Sequence, residues 1–217
     1  MKTALLFGAT GLVGKELMKR LLEDPHYNKV LIFVRRKMLI KHLHVEVVPI
    51  DFDALDSSAE FIKGDNCFCA LGTTMKKAGS REAFRKVDYE MVLNVARIAK
   101  QNGVKKFIVI SSIGANPASS NFYLKTKGEM EEALKQLAFD QLTIVRPSFL
   151  MGNRNEFRLG ERIGILFAKI LGPFMIGPIK KYRPISAKRL AKAMLMLANS
   201  SPVKTVFESD ELIRMAR

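Results

Sequence analysis

Residues 3–14 read Thr-Ala-Leu-Leu-Phe-Gly-Ala-Thr-Gly-Leu-Val-Gly, and this stretch decides the fold. Its first five residues are the short apolar run typical of a buried parallel strand. Beyond the glycines, apolar residues recur at helical spacing at Leu17, Met18, Leu21 and Leu22. The order of strand, glycine loop and helix predicts a dinucleotide-binding βαβ unit rather than an ordinary glycine turn.

The three glycines of this loop have separate expected roles. Gly8 permits the tight turn, Gly11 lets a pyrophosphate approach the backbone, and Gly14 lets the helix pack closely on the strand. The N–H groups at the helix start would then face the phosphates. The predicted phosphate-binding residues are Gly8, Thr10, Gly11, Leu12, Val13 and Gly14.

The rest of the chain alternates between strand-like and helix-like segments. Strands are predicted at 29–34, 45–50, 66–70, 107–110, 142–146 and 203–207. Helices are predicted at 80–102, with a bend near Val87-Asp88, at 158–171, from an N-cap at Ser186 to about Asn199, and after an N-cap at Ser209. This alternation predicts an α/β fold, a Rossmann-type doubly wound parallel sheet with helices on both faces. We expect residues 1–217 to form one domain in which 151–217 contributes most of a small C-terminal substrate lobe.

Composition restricts the functional classes. The net charge is +15, and residues 151–217 carry thirteen Lys/Arg against five Asp/Glu, which is +8 of that total. No nucleic-acid-binding motif accompanies the charge, so no nucleic-acid partner is expected. Two cysteines two residues apart in one strand, Cys67 and Cys69, and no recognisable leader favour a reduced, cytoplasmic location. His42 and His44 lack a third ligand, so no metal site is predicted.

A basic pair follows the second predicted strand. Arg35 lies about twenty residues past Gly14, where an NAD-preferring protein places an acid against the ribose 2′-hydroxyl. An arginine there, with Arg36 beside it, would instead bind a 2′-phosphate. The sequence therefore predicts NADP as the cofactor in preference to NAD, with an exposed basic loop as the alternative.

Two further loops follow predicted strands at the same edge of the sheet. Asp51 could accept from the adenine amino group and Phe52 could close the adenine pocket. The small-residue loop Leu71-Gly72-Thr73 follows the fourth strand, beside the point where a dinucleotide would cross. Each of these residues is a predicted cofactor contact.

The candidate catalytic residues come from two segments. Tyr123 and Lys127 are four residues apart, so in a helix they share one face. The other three tyrosines of the chain lack a lysine at this spacing. Ser111-Ser112 ends the fifth predicted strand, where simple strand-end hydrogen bonding is the alternative to a role in the site.

These stretches resemble the atypical branch of the short-chain dehydrogenase/reductase superfamily, and within it the Tat-interacting-protein oxidoreductase group and its bacterial relatives. The resemblance rests on the glycine loop, the basic pair, Asp51-Phe52, residues 69–74, Ser111-Ser112, residues 119–131 and residues 146–161, in family order. It covers nearly the whole chain. It indicates fold and cofactor more strongly than substrate.

The resemblance implies a Ser-Tyr-Lys catalytic set. Tyr123 would donate a proton to a carbonyl or take one from an alcohol, and Lys127 would favour the phenolate and hold the nicotinamide ribose. Ser112, or else Ser111, would orient the substrate oxygen; Ser119 and Ser120 are further candidates. Pro147 would line the nicotinamide end.

Two functions remain open at this stage. The first is an NADP(H)-dependent oxidoreductase that acts on a small carbonyl compound or alcohol. The substrate is expected to be apolar or anionic. The second is a non-catalytic NADP(H) sensor or scaffold for a protein partner. Residues 158–179 are expected to cover the substrate pocket, with docking on a membrane surface as the rival use. The sequence is compatible with a homodimer.

Overall fold

The computed structural model describes residues 1–151 and 177–217, and its centre is a seven-stranded parallel sheet. The strand order is β3-β2-β1-β4-β5-β6-β9, and two short strands form a separate pair, β7-β8. The strands are β1 (Lys2–Phe7), β2 (Tyr27–Val34), β3 (Val45–Pro49), β4 (Asn66–Cys69), β5 (Lys106–Ile110), β6 (Gln141–Arg146), β7 (Leu150–Met151), β8 (Ile185–Ser186) and β9 (Val206–Glu208).

The strand order reverses between β1 and β4. From β1 the chain builds outward through β2 to β3, whereas β4 pairs on the other side of β1 and the sheet then continues to β9. In open sheets of this kind, ligands bind at the carboxyl ends of the strands beside such a switch point. The loops after β1, β2, β4, β5 and β6 therefore define where a site belongs.

Helices cover both faces of the sheet. They are α1 (Leu12–Glu23), α2 (Met75–Ala78), α3 (Arg81–Arg85), α4 (Met91–Gln101), α5 (Phe122–Lys135), α6 (Ala187–Ala198) and α7 (Ser209–Met215), with a π-helical turn at Lys86–Glu90 and 3₁₀ turns at Leu55–Phe61 and Gly177–Tyr182. A parallel sheet needs this double cover because both of its faces are apolar.

Each face has its own buried core, and alternation along β1 feeds both. Leu6 points to the face covered by α1 and α6, whereas Leu5 and Phe7 point to the face covered by α4 and α5. On the second face, Phe7 stacks on Phe33 with ring centroids 4.3 Å apart. Because both faces are packed, the backbone at the strand ends is held rigidly enough to position side chains.

The predicted elements match the observed ones closely. The Rossmann-type doubly wound sheet is confirmed, and the predicted bend near Val87-Asp88 is the π-helical turn at Lys86–Glu90. Such turns inside α-helices are rare and often mark functional sites. Ser186 caps α6 as predicted, with its hydroxyl accepting from the Arg189 N–H.

The C-terminal third differs from the prediction at its last helix and its last strand. Ser209 was predicted to cap the last helix, which is wrong: Glu208 is the N-cap, paired with Glu211 in a capping box, and Ser209 is the first helical residue. The last strand is Val206–Glu208 rather than 203–207. The structure does not describe residues 152–176. The predicted helix at 158–171 and most of the predicted pocket cover at 158–179 fall in this range.

Part of the C-terminal third completes the Rossmann layers. Helix α6 packs against α1, and β9 pairs with β6. That residues 151–217 also supply most of a substrate lobe stays a prediction. No helix in the ranges 1–151 and 177–217 has the length and apolar character needed to cross a bilayer.

Candidate active site at the carboxyl ends of the strands

The glycine loop after β1 depends on close backbone contacts. Gly8 has φ +84°, which side chains rarely adopt, and the Gly11 N–H donates to its carbonyl at 2.9 Å. A Cβ at Gly14 would lie 2.0 Å from the Gly8 oxygen, and one at Gly8 would lie 2.4 Å from the Ala70 oxygen. The first and third glycines are therefore required by packing of the loop on α1 and on the end of β4.

The second glycine and the helix start suit an anionic ligand. Gly11 is exposed and is the N-cap of α1, which has no side-chain cap and no acidic residue in its first turn. A Cβ at Gly11 would meet only the Gly8 oxygen, at 3.2 Å. The N–H groups of Leu12, Val13 and Gly14 precede the first intrahelical bond, from the Lys15 N–H to the Gly11 carbonyl, so no carbonyl of the helix accepts from them. A phosphate at this helix start would accept from them and be attracted by the helix dipole. These residues fit a dinucleotide pyrophosphate, and exposed Thr10 borders the same loop.

The basic pair lies at the carboxyl end of β2, as expected. Arg35 and Arg36 are exposed, and neither has an ion-pair or hydrogen-bond partner within the described ranges. The two guanidinium groups are therefore available to an anion. Their position directly after β2, the neighbour of β1, is compatible with contact to the adenosine ribose.

The two predicted adenine contacts have different surroundings. Asp51 is exposed, and its Oδ1 accepts from the Asp53 N–H at 2.9 Å, which stabilises the turn after β3. Phe52 is buried, and its ring packs edge-on to Phe7 with centroids 6.5 Å apart. Phe52 thus belongs to the core, while adenine contact by either residue stays a prediction.

A buried carboxylate holds the backbone of the loop after β4. Thr73 donates its backbone N–H to Asp88 Oδ2 at 2.8 Å, so this N–H is not available to a cofactor phosphate. A Cβ at exposed Gly72 would lie 3.3 Å from Asp88 Oδ1. Leu71 is half-buried and packs against the α4/α5 core. Asp88 therefore fixes the backbone of the predicted cofactor loop.

The same carboxylate pairs with the candidate catalytic lysine. Lys127 Nζ lies 2.7 Å from Asp88 Oδ1, and the two side chains are only 4% and 2% exposed. Lys127 Nζ also lies 3.5 Å from the carbonyl of Ile110, at the end of β5. Burial opposes the charge of Lys127, but attraction to Asp88, Tyr123 and Cys69 outweighs it, so the pKa of Lys127 is raised.

Tyr123 lies one helical turn before Lys127 on α5, and the structure brings the two together as the spacing predicted. Its ring is half-buried and packs against Phe84 of α3 with centroids 5.4 Å apart. Tyr123 is one of the groups that favour the charged form of Lys127. A phenol held beside a buried ammonium at the strand ends can exchange a proton with a bound substrate.

The adjacent serines differ in their partners. Ser111 is buried, and its hydroxyl donates to Glu131 Oε1 at 2.5 Å. Arg146 donates to the same carboxylate, from Nε at 2.9 Å and from Nη2 at 2.5 Å. Among the residues that the structure describes, the half-buried Ser112 hydroxyl has one hydrogen bond, a 3.3 Å contact to the Ile113 carbonyl. Of the two, Ser112 has the hydroxyl available to a substrate.

The segment between the serines and Tyr123 is anchored on α5. A Cβ at Gly128 would lie 2.2 Å from the Pro117 nitrogen, so only glycine permits this loop to pack on the helix. The Asn116 N–H donates to the Leu124 carbonyl at 3.1 Å. Ser119 accepts from the Asn121 N–H at 3.2 Å, and Ser120 is exposed. The two serines thus flank the start of α5.

Pro147 follows β6 at the same edge of the sheet. It is buried, and its carbonyl accepts from the Ile113 N–H at 3.1 Å, which joins the loops after β5 and β6. The Ser148 hydroxyl donates to the Arg183 carbonyl at 2.5 Å, so the segment before β8 is attached here as well. Pro147 therefore lies at the edge where a nicotinamide end would be placed.

Sequence reasoning missed three charged partners: the buried carboxylates of Asp88 and Glu131, and the half-buried Arg146. A signal existed for two of them, since Asp88 lies at the predicted helix bend and Glu131 is four residues after Lys127 on the same helix. Within residues 1–151 and 177–217 no cluster of side chains could hold a metal ion, and His44 hydrogen-bonds to the Asn28 carbonyl.

Comparison with known proteins identifies similar sequences. A family model described as NAD(P)H-binding matches residues 8–163. Protein HTATIP2 of Rattus norvegicus is 40% identical over 164 residues, 74% of this chain and 67% of the relative. The mitochondrial protein FMP52 of Candida albicans is 32% identical over 203 residues, 90% of this chain and 87% of the relative.

A solved structure shows the same fold. The Bordetella bronchiseptica enzyme WbmH, crystallised with NAD⁺, superposes with a TM-score of 0.73 at 16% identity, covering 96% of this chain and 75% of its own. At that identity the likeness concerns the fold alone. Because the name of the FMP52 relative places that protein in mitochondria, the cytoplasmic location inferred above stays a prediction.

Proposed function

Because this chain belongs to the NAD(P)H-binding family, as an atypical member of the short-chain dehydrogenase/reductase superfamily, we propose that it is an NADP(H)-dependent oxidoreductase that interconverts a carbonyl compound and an alcohol. The observation that carries the proposal is the buried Lys127 ammonium beside Tyr123 at the carboxyl ends of the strands. Dinucleotide binding alone would not need the Tyr123 hydroxyl.

The preference for NADP(H) rests on the end of β2. Arg35 and Arg36 are exposed guanidinium groups without a partner in the described residues. Either can form a charge-assisted hydrogen bond to a 2′-phosphate, while the exposed start of α1 binds the pyrophosphate. NAD would bind the same glycine loop, but it has no 2′-phosphate to accept a hydrogen bond from either arginine.

The bound cofactor supplies or accepts a hydride at the substrate carbon. In reduction, the Tyr123 hydroxyl gives its proton to the substrate oxygen, and Ser112 donates a hydrogen bond that orients this oxygen. The Lys127 ammonium has three N–H donors, and Asp88 and the Ile110 carbonyl accept from two of them. The third would donate to the nicotinamide ribose. Pro147 borders the nicotinamide.

The surroundings favour a substrate with an apolar body and an anionic group. Phe149, Ile179 and Tyr182 are 59%, 51% and 45% exposed, on the segments that follow β6 and precede β8. Lys180 and Lys181 lie between the last two of these residues. Apolar contact from the aromatic rings and attraction to the lysines would act on different ends of one substrate.

Replacement of Tyr123 tests the proposal. With NADPH and a panel of aldehydes and ketones, loss of nicotinamide absorbance reports turnover, and we expect Tyr123→Phe to reduce it by about 10²–10⁴-fold. NADPH affinity should stay within a few fold. Tyr89→Phe is the matched control, because Tyr89 lies beneath the Arg85 guanidinium, 4.2 Å from ring centroid to carbon, and outside the proposed machinery.

Two results would contradict the oxidoreductase. Normal turnover by Tyr123→Phe would show that the catalytic assignment is wrong. NADPH binding without reduction of any compound in the panel would favour the sensor or scaffold, in which the dinucleotide shapes a surface for a protein partner.

A further inference from the structure

The loop after β2 exposes two leucines in a basic setting. Residues 35–44 read Arg-Arg-Lys-Met-Leu-Ile-Lys-His-Leu-His, with four Lys/Arg and no Asp/Glu. Leu39 and Leu43 are 97% and 95% exposed. Among residues 1–151 and 177–217, the other large apolar residues exposed to this extent are Met1, at the end of the chain, and Val203. Apolar side chains scattered singly over a surface are normal, but two in one basic loop indicate an interaction surface.

The loop is anchored so that both leucines stay outside. Met38 and Ile40 are half-buried and pack against the core beneath α1 and α6, so Leu39 between them faces outward. Further along, His44 Nδ1 hydrogen-bonds to the Asn28 carbonyl at 2.9 Å, which fixes the turn that contains the second leucine. The packing of the loop itself therefore presents the two side chains to solvent.

An open apolar cavity adjoins this loop on the side of α1. Its volume is about 450 Å³, and Met38 belongs both to the loop and to the cavity lining. Leu12 and Met18 of α1 and Met151 of β7 supply further apolar side chains. The apolar surface therefore extends from the loop, through Met38, to α1.

Lysines border the same cavity. Lys15 and Lys19 from α1 and Lys188 from α6 belong to its lining, and all three are exposed. Of the described lining residues only Glu16 is acidic, and its carboxylate lies 3.5 Å from Lys19 Nζ. With the four Lys/Arg of the loop, the lysines give seven positive charges against one negative charge. Residues 35–44 and the cavity lining together form what we name the basic apolar face.

We propose that the basic apolar face docks on an anionic lipid bilayer, with Leu39 and Leu43 entering the boundary between headgroups and acyl chains. Lys and Arg side chains are attracted to anionic headgroups, and apolar side chains that enter the bilayer add the hydrophobic contribution. A nucleic acid would attract the same cations but has no apolar layer to receive the leucines. The inference goes beyond the proposed function and does not depend on it, because neither cofactor nor substrate takes part.

Vesicle flotation of the full chain tests the docking. Vesicles of phosphatidylcholine with about one-third phosphatidylglycerol supply the anionic surface, and pure phosphatidylcholine vesicles are the neutral comparison. We expect the wild type to bind the anionic vesicles at least about tenfold more tightly than the neutral ones. Binding should weaken as the salt concentration rises, because salt screens the attraction.

Variants separate the apolar and the electrostatic contributions. Leu39→Ser/Leu43→Ser should weaken binding to the anionic vesicles by about tenfold to a hundredfold, because apolar area is lost. Lys15→Gln/Lys188→Gln should weaken it by about tenfold, because two cations near the headgroups are lost. Arg35 and Arg36 are left unchanged, since the proposed function assigns them to the cofactor.

Matched controls come from other surfaces of the molecule. Val203→Ser removes an exposed apolar side chain before β9, at the opposite edge of the sheet from β3. Arg97→Gln/Lys125→Gln removes two exposed cations from α4 and α5, which cover the other face of the sheet. Both controls should bind vesicles as the wild type does.

A tryptophan reporter shows whether the loop enters the bilayer. The chain contains no tryptophan, so Leu43→Trp introduces a single one. We expect its emission to shift to shorter wavelength on the anionic vesicles and to be quenched when they contain brominated phosphatidylcholine. Val203→Trp should show neither change.

Several results would overturn the proposal. Equal flotation of Leu39→Ser/Leu43→Ser and the wild type, or unchanged Leu43→Trp emission on vesicles that bind the protein, would show that the leucines do not enter the bilayer. A lower urea midpoint for Leu39→Ser/Leu43→Ser would show that the chain itself covers them. Binding to polyglutamate without binding to anionic vesicles would assign the face to an acidic protein.

Discussion

The Ser111 hydroxyl donates a 2.5 Å hydrogen bond to Glu131, a buried carboxylate that also binds Arg146. This bond separates two serines that are adjacent in sequence. We expect Ser111→Ala to lower the free energy of unfolding by about 1.5–3 kcal/mol, the contribution of a hydrogen bond to a charged group. Ser112→Ala should change it by less than about 0.5 kcal/mol and instead reduce carbonyl turnover.

Denaturant unfolding and NADPH oxidation measured on both variants check this division. Ser201→Ala is the matched control, since Ser201 is exposed in the loop between α6 and β9, at the amino ends of the strands. Full stability with lost turnover in Ser111→Ala would assign the orienting role to Ser111. Loss of turnover confined to Ser119→Ala or Ser120→Ala would move that role to the loop before Tyr123.

The second and third glycines of the first loop should respond differently to alanine. At Gly14 the new methyl group would lie 2.0 Å from the Gly8 oxygen, so Gly14→Ala should prevent stable folding. At Gly11 the nearest atom is 3.2 Å away, so Gly11→Ala should fold and weaken NADPH and NADH equally. Thermal unfolding and cofactor titration measure the two effects, and a well-folded Gly14→Ala protein would contradict the packing argument.

The arginine after β2 should discriminate between the two cofactors. Arg35→Ala should weaken NADPH binding by about tenfold to a hundredfold, the loss of one charge-assisted hydrogen bond of roughly 1.5–3 kcal/mol. NADH affinity should stay unchanged because NADH lacks the 2′-phosphate. Lys41→Ala, an exposed cation further along the same loop, is the control. Equal affinity of the wild type for NADPH and NADH would rule out the preference.

The capping box of the last helix makes stability depend on pH. Burial would raise the pKa of Glu211, but hydrogen bonds from Lys204 and the Glu208 N–H outweigh it, so the pKa is held below its usual value of 4.5. As pH falls, the unfolded chain therefore binds this proton first, and the stabilisation is lost as pH passes through the folded-state pKa.

We therefore expect Glu211→Gln to lower the free energy of unfolding above pH 4.5, by about 0.2–1 kcal/mol for a partly exposed pair. The difference from the wild type should vanish at lower pH. Urea unfolding across this range is the measurement. In a Lys204→Met background, Glu211→Gln should lower the free energy of unfolding by less. If the difference between Glu211→Gln and the wild type instead grew toward acid pH, the predicted pH dependence would be wrong.

The sequence by itself determined the fold, and it predicted a candidate site at the carboxyl ends of the strands. Local patterns are sufficient here, because a buried parallel strand, a glycine turn and an amphipathic helix are each encoded within a few consecutive residues. The four-residue spacing of Tyr123 and Lys127 likewise fixes their common face once α5 forms. The sequence also predicted the helix bend near Val87-Asp88, which is the π-helical turn at Lys86–Glu90.

Only the tertiary structure decided which partners the site residues have. Asp88 is 39 residues before Lys127, and Arg146 is 15 residues after Glu131, so no local pattern joins these pairs; packing of α5 between the π-helical turn and β6 does. Burial then requires each charge to have a partner, because an unpaired charge in the interior is costly. Glu131 therefore accepts from the Ser111 hydroxyl as well as from Arg146, and Asp88 pairs with Lys127. The Ser112 hydroxyl has no such charged partner among the described residues and stays available to a substrate.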